Sequence, residues 1–335
     1  MELVHSLDEN LWRDFVAHHP DGTIFHTPEM FRVFARARRY QPELWAVLQG
    51  KSDILALMMP VRVHIFDGFL RRFTTRTIAY GSVLYENSDR GYEAIRLLLS
   101  AYGDNARLEA LFTEFRNLNC LEEIRPLLDS CGYHFEDHLN YLINLDRPPD
   151  EVLNHIGKRT RKRIRKGLRT SMVEVKEITQ PGELGGWYET LQKTYRFAHV
   201  PLADRSLFDS AFEILLPRGM AKFLLAVVDG AIGACSVELI YKDTIYGWYG
   251  GTDRTYGHFW PNEMLTWYIL AWGASNGYHM YDFGGAGKPD EDYGVRDFKA
   301  KFGGELVNFG RFLNVHKPFL LKISQPGYQI FRHIR

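Results

Sequence analysis

The chain has 335 residues, 45% hydrophobic and 24% charged, which is enough for two ordinary domains that each bury a core. Lys and Arg total 41, as do Asp and Glu, so no overall charge dictates a polyanionic or polycationic partner. The first twenty residues lack the basic-then-apolar order of a secretory signal, and charges interrupt every apolar run before membrane-spanning length, so a cytoplasmic protein is expected.

The halves differ in charge. Residues 1 to 150 carry 16 Lys and Arg against 22 Asp and Glu, and the remainder 25 against 19. Most of the basic excess lies in KRTRKRIRKGLR, Lys158 to Arg169, where eight of twelve residues are basic and none is acidic. Cys120, Cys131 and Cys235 are too few and too irregular for a disulfide framework or a zinc site, which predicts buried thiols and no metal.

In chain order, ELWAVL and DILALMMPVRVHI predict a hairpin, and a third strand is expected over Thr74 to Leu84. DRGYEAIRLLLSA, Asp89 to Ala101, has helical spacing of its apolar residues and leads to a predicted strand ARLEALF. A helix LEEIRPLLDSCG and a strand YHFEDHLNYLINL follow. The paired prolines Pro148 and Pro149 predict a seam, giving domains of 1–147 and 148–313.

The second half repeats this order. KFLLAVV and AIGACSVELIY flank an Asp229-Gly230 turn, and TIYGWYGG follows a second turn at Lys242-Asp243. The helix PNEMLTWYILAWGASNG starts at Pro261, after which come the strand YHMYDF, the helix VRDFKAKF and a closing strand ELVNFGRFL. Each half thus reads β-β-β-α-β-α-β, an α/β class with mixed sheets. The tail, 314–335, is basic and partly apolar and is expected to pack on the first domain, with peripheral association at the inner membrane face as the alternative.

Several residues carry candidate chemistry. Asp282 stands at the predicted end of a strand, and Gly284 and Gly285 after it permit close backbone approach to a ligand. Gly287-Lys288 is followed by Pro289 rather than Ser or Thr, so this is no phosphate loop. Arg296 and Lys299 share a short helix anchored by Phe298. Tyr249 on a strand and Asn262 at a helix start are suited to orienting a polar substrate. Tyr293, His258 and the acidic trio Asp290, Glu291 and Asp292 are weaker candidates.

The order of elements is that of the GNAT acyltransferase fold, here in tandem. Over nearly its whole length the chain resembles the Fem family of tandem-GNAT transferases, which add amino acids to peptidoglycan precursors. Four segments carry the resemblance: TRKRIRKGLR, WYGGT, PNEMLTWYILAW, and YDFGG followed by VRDFKAKFGG. The resemblance implies transfer of an acyl or aminoacyl group to an amine, with aminoacyl-tRNA or acyl-CoA as donor and no tightly bound cofactor. It implies that Phe298 and Lys299 lie in the active site, that Lys299 steadies the donor or an oxyanion, and that Tyr249 and Asp282 orient the groups. Arg161, Lys162, Arg165 and Arg169 then form a cationic face for phosphate, from a diphosphate-linked acceptor or from tRNA.

Two segments depart from pattern. A CoA-binding GNAT loop has the form Q/R-x-x-G-x-G/A, whereas here Arg254 and Gly257 precede Phe259 and Pro261, which removes an N–H donor. Where peptidoglycan-specific members place an arginine and a tyrosine, this chain has Arg205, displaced, and Leu207. A CoA-dependent N-acyltransferase acting on an amino sugar and a non-catalytic binder of anionic surfaces built on the basic run are the alternatives.

Overall fold

The computed structural model describes residues 1–324, and residues 325–335 of the expected tail lie outside them. The chain divides into two units, one formed by Met1–Asp137 together with residues 309–324, the other by His138–Asn308. The first seven strands are β1 (Glu2–Val4), β2 (Tyr40–Pro42), β3 (Trp45–Gln49), β4 (Asp53–Val63), β5 (Arg76–Tyr85), β6 (Phe112–Arg116) and β7 (His134–Glu136). The second unit holds β8 (Leu139–Asn144), β9 (Val173–Glu177), β10 (Ala221–Val228), β11 (Ala231–Tyr241), β12 (Thr244–Thr252), β13 (Met280–Gly285) and β14 (Glu305–Asn308). The last strand, β15 (Arg311–Val315), returns to the first unit.

The first sheet runs β1-β3-β4-β5-β6-β15-β7 with β2 on β4, and the second runs β14-β8-β13-β12-β11-β10-β9. In each sheet one neighbouring pair is parallel, β5 with β6 and β12 with β13, and the described pairs around them are antiparallel. Both hairpin turns of the second unit use positive φ, at Asp229 with Gly230 and at Lys242, the backbone that tight two-residue turns demand. Each unit packs one long helix on its sheet. Asp89–Glu109 buries Ile95, Leu98, Leu99 and Tyr102, and Pro261–Ser275 buries Leu265, Ile269 and Leu270.

Four expectations change. The units meet at Asp137/His138 and Asn308/Phe309 rather than at Pro148-Pro149, because Pro149 opens the helix Pro149–His155, where its missing N–H costs nothing. The run YHFEDHLNYLINL is two strands in different sheets, as is ELVNFGRFL. The segment read as the strand ARLEALF is mostly the last turn of the helix Asp89–Glu109, and the strand begins at Phe112. Of the three thiols only Cys235 is buried, while Cys120 is exposed.

Candidate functional site

In the second unit, β12 and β13 pair through only three positions, Thr244↔Met280, Ile245↔Tyr281 and Tyr246↔Asp282. Beyond them β12 continues to Thr252 and carries a bulge at Trp248, since Val237 faces Tyr249 while Glu238 faces Gly247. The parallel pair therefore forks, and the β12 edge from Gly247 onward turns away from its former neighbour. Strand alternation puts Tyr246, Tyr249 and Asp282 on one face of the sheet and Glu238, Gly247 and Tyr281 on the other.

Asp282 is buried at the root of the fork. Its Oδ1 accepts from Asn140 Nδ2 at 2.7 Å and from the Gly284 backbone N–H at 2.7 Å, so the carboxylate itself closes the turn that ends β13. Gly284 has φ +69°, and a Cβ there would lie 3.1 Å from the Tyr246 hydroxyl, which is why glycine stands at this position. Burial raises the Asp282 pKa, against the lowering pull of Asn140, Gly284 and the Lys299 charge.

Lys299 is buried too, on the helix Gly294–Ala300. Its ammonium donates to the carbonyls of Phe283 at 2.6 Å, Gly284 at 3.0 Å and Gly285 at 2.8 Å. An ammonium has three N–H donors, and all three are used. The expectation that Lys299 offers its charge to an oxyanion is thereby corrected: it clamps the end of β13 beside Asp282. Burial draws its pKa down to about 8 while Asp282 opposes the shift; the three carbonyl acceptors also favour the charged form.

On the opposite face lies a group that the sequence reading missed. Glu238 is buried, accepts from Ser236 Oγ at 2.6 Å and from the Tyr281 hydroxyl at 3.1 Å, and is pushed up to about 7 by burial against the lowering effect of those hydrogen bonds. Tyr281 is held well above its ordinary value by its own burial and by Glu238. A Cβ on Gly247 would come within 2.7 Å of that hydroxyl, so the bulge and the buried acid share one space. A single carboxylate in the apolar run AIGACSVELIY was the available signal.

The other expected residues divide into two groups. Tyr249 lies on the Asp282 face within an aromatic cluster, 4.9 Å from the Phe208 ring, 5.2 Å from Trp248 and 6.0 Å from Tyr195. Tyr195, which no sequence signal marked, is half-buried, and its pKa is raised by desolvation and by Tyr293. Tyr293 itself is exposed and covers Gly287. Arg296 donates to the carbonyls of Ala286 and Pro289, both at 2.9 Å, and to that of Lys288, so it shapes the loop after β13. Phe298 packs on the core beside Phe302.

Several candidates lie elsewhere. Arg205 opens its own helix and pairs with Asp209 at 3.3 Å, and Leu207 is core. Asn262 is the second residue of the helix Pro261–Ser275, whose cap is Trp260 with φ +60°. His258 stacks on Phe259. The trio Asp290, Glu291 and Asp292 is exposed, and among the described residues no cluster of His, Cys, Asp or Glu is placed to hold a metal.

The basic run forms the helix Lys158–Thr170, with Thr160, Ile164 and Gly167 buried. At 100° per residue, Lys158, Arg159, Lys162, Arg165, Lys166 and Arg169 fall within one arc of about 120°, and all six are exposed. Arg161 instead donates to the Asn154 carbonyl at 2.5 Å, and Arg163 pairs with Glu263 at 2.8 Å. That Glu263 sits in the first turn of Pro261–Ser275, two residues after a proline that lacks an N–H. A helix start whose positive end faces a carboxylate is poorly prepared for a pyrophosphate.

Residues 156–299 match the Acetyltransferase (GNAT) domain family. No curated protein matches the chain significantly. Among solved structures, FemX superposes with a TM-score of 0.72 at 16% identity, covering 99% of this chain and all of that one. A tandem GNAT protein from the clavulanic acid biosynthesis pathway gives 0.62 at 13% identity, covering 94% of this chain and 98% of its own. The C-terminal domain of a putative lysylphosphatidylglycerol synthetase from Agrobacterium fabrum gives 0.60 at 13% identity, covering 95% of each. Among the described residues no helix is long and apolar enough to cross a membrane. The chain is an acyltransferase with a Fem-like tandem GNAT fold.

Proposed function

We propose that the second unit transfers an aminoacyl group from aminoacyl-tRNA to an amine of an envelope precursor, in the manner of peptidoglycan-modifying transferases. The carrying observation is the six-cation face of Lys158–Thr170, which no carboxylate neutralises in the described ion pairs and which suits a phosphate-rich donor. The blocked start of Pro261–Ser275 supports the same donor by offering CoA no usual cradle.

In this reading the acceptor amine attacks the ester carbonyl at the mouth of the fork. N–H groups on the open edge of β12 stabilise the oxyanion, the C–N bond forms and the ester C–O bond breaks. Asp282 takes the amine proton on Oδ2, since both of its protein hydrogen bonds fall on Oδ1, and the proton passes to the departing ribose oxygen. Lys299 and Asn140 are positioning residues that fix this carboxylate. Tyr249 and Tyr195 line the acceptor side.

Binding and transfer with aminoacyl-tRNA and with acetyl-CoA test the proposal. Aminoacyl-tRNA should bind in a salt-sensitive way, and Lys162→Glu with Arg165→Glu and Arg169→Glu should weaken it by about a hundredfold or more. Saturable stabilisation and turnover with acetyl-CoA alone, indifferent to those charges, would replace the donor with CoA.

A further inference from the structure

The first unit concentrates exposed apolar side chains at one end of its sheet. Among the described residues eight large apolar side chains are more than half exposed, and five of them are Phe69 (69%), Leu70 (53%), Leu108 (79%), Phe319 (74%) and Ile323 (51%). Their common location follows from the register. Val63 faces Arg76, Thr77 faces Thr113 and Val315 faces Phe112, so the loop after β4, the entry to β6 and the exit from β15 share one edge of the sheet. Backbone bonds tie them together: Leu111 N–H donates to Thr75, and His316 N–H donates to Leu111, both at 2.9 Å. Lys317 Nζ adds a bond to the Leu108 carbonyl at 2.7 Å. Phe69 and Leu70 lie in the first loop, Leu108 in the last turn before β6, and Phe319 and Ile323 one helical turn apart in 318–324.

The charge around them is positive. Asp67, Asp104 and Glu109 are the carboxylates of these connections, and each is already engaged by an arginine, Arg39, Arg107 and Arg62 respectively. Arg72 is exposed, with its guanidinium carbon 3.7 Å from the centroid of the Phe69 ring, and Lys322 is exposed between Phe319 and Ile323. Bulky apolar and aromatic tips carried on three connections, with cations interleaved and acids neutralised, match the boundary between acyl chains and anionic headgroups. Isolated exposed leucines need no explanation; five at one end of one sheet do.

We propose that this end of the first unit docks on an anionic phospholipid surface, with Phe69, Leu70, Leu108, Phe319 and Ile323 entering the headgroup layer and Arg72 and Lys322 meeting its phosphates. This surface is independent of the acyl-transfer reading, because none of these residues belongs to the fork of the second unit.

Flotation of the full chain with vesicles of phosphatidylcholine alone, and with vesicles enriched in phosphatidylglycerol, tests it. Binding is expected to the anionic vesicles only and to weaken with salt. Phe69→Ser with Leu108→Ser and Phe319→Ser should reduce partitioning about tenfold or more, and Arg72→Glu with Lys322→Glu should do so comparably. All these side chains are exposed, so thermal unfolding should stay at the wild-type temperature, which separates lost docking from lost fold. The proposal falls if wild type ignores anionic vesicles, if both variants float as wild type does, or if only reversal of Lys162, Arg165 and Arg169 abolishes flotation. It also falls if the apolar substitutions merely dissolve a dimer that never binds vesicles, which would make the patch a contact between copies.

Discussion

The two units fork at the same place and fill the fork differently. In the first, β5 pairs with β6 only from Thr77 to Tyr80, then bulges through Gly81 and Ser82, both with positive φ. Tyr80 stacks on Phe25 at 5.1 Å and on Phe34 at 5.7 Å, and the His26 ring lies where a Cβ on Gly81 would come within 2.5 Å. Ser82 completes the closure with a 3.4 Å bond to Asn117. At the corresponding place in the second unit stand Asp282 and Lys299, with Glu238 on the opposite face, all buried and all shifted in pKa by that burial. Burying ionisable groups costs stability, whereas packed rings supply it. The comparison teaches that the first fork is closed by packing, whereas the second gathers buried ionisable groups, the pattern expected of a functional site.

The sharpest way to break this comparison is to substitute both forks and measure transfer. Asp282→Asn should lower the transfer rate about 10²–10³-fold, because the amide cannot accept the amine proton. Tyr80→Phe in the first fork should leave the rate within about twofold, since it keeps the stacked ring. Equal losses from both would show that the first fork is not merely structural. Next in size is Lys299→Ala, which leaves two buried carbonyls and the half-buried one of Gly285 without this donor, beside a carboxylate that loses its countercharge. Unfolding of the chain in denaturant should then fall by about 3 kcal/mol, and transfer should fall with it. A variant that kept full stability would show that the clamp is not needed to end β13.

The sequence made the second fork partly visible, and for a physical reason. Asp282 and the glycines after it stand together in YDFGG, where turn chemistry exposed them, and the family resemblance of VRDFKAKFGG marked the Phe298-Lys299 pair. Their partners were not legible. Asn140 reaches Asp282 from 142 positions away along the chain, and Tyr195 joins Tyr249 from a helix that reads as ordinary. Glu238 was passed over, because alternation puts Ser236 on its face but cannot say that Tyr281, from another strand, meets it there. The unit boundaries were hidden differently. Between His134 and Asn144, and again between Glu305 and Val315, one apolar run serves two sheets, and only pairing shows where it changes allegiance.

The smallest expected effect asks whether the second fork really bears the cost of its buried acid. Glu238 has a folded pKa near 7 against an ordinary value of 4.5. A raised carboxyl pKa means that the folded chain holds a proton that the unfolded chain has released, so stability falls as pH rises through that window. From about pH 5 to about pH 8 the wild type should therefore lose about 2 kcal/mol that Glu238→Gln does not lose. Denaturant unfolding at the two pH values measures the difference. The glutamine keeps an acceptor for the Tyr281 hydroxyl, so the variants should be comparable at the acid end and the glutamine form the more stable at the alkaline end. Identical pH slopes would mean that Glu238 ionises without cost, and that the second fork is less different from the first than its buried charges suggest. A slope confined to the wild type, together with unimpaired transfer in the variant, would assign that cost to Glu238 and leave the proton-accepting role to Asp282 on the opposite face.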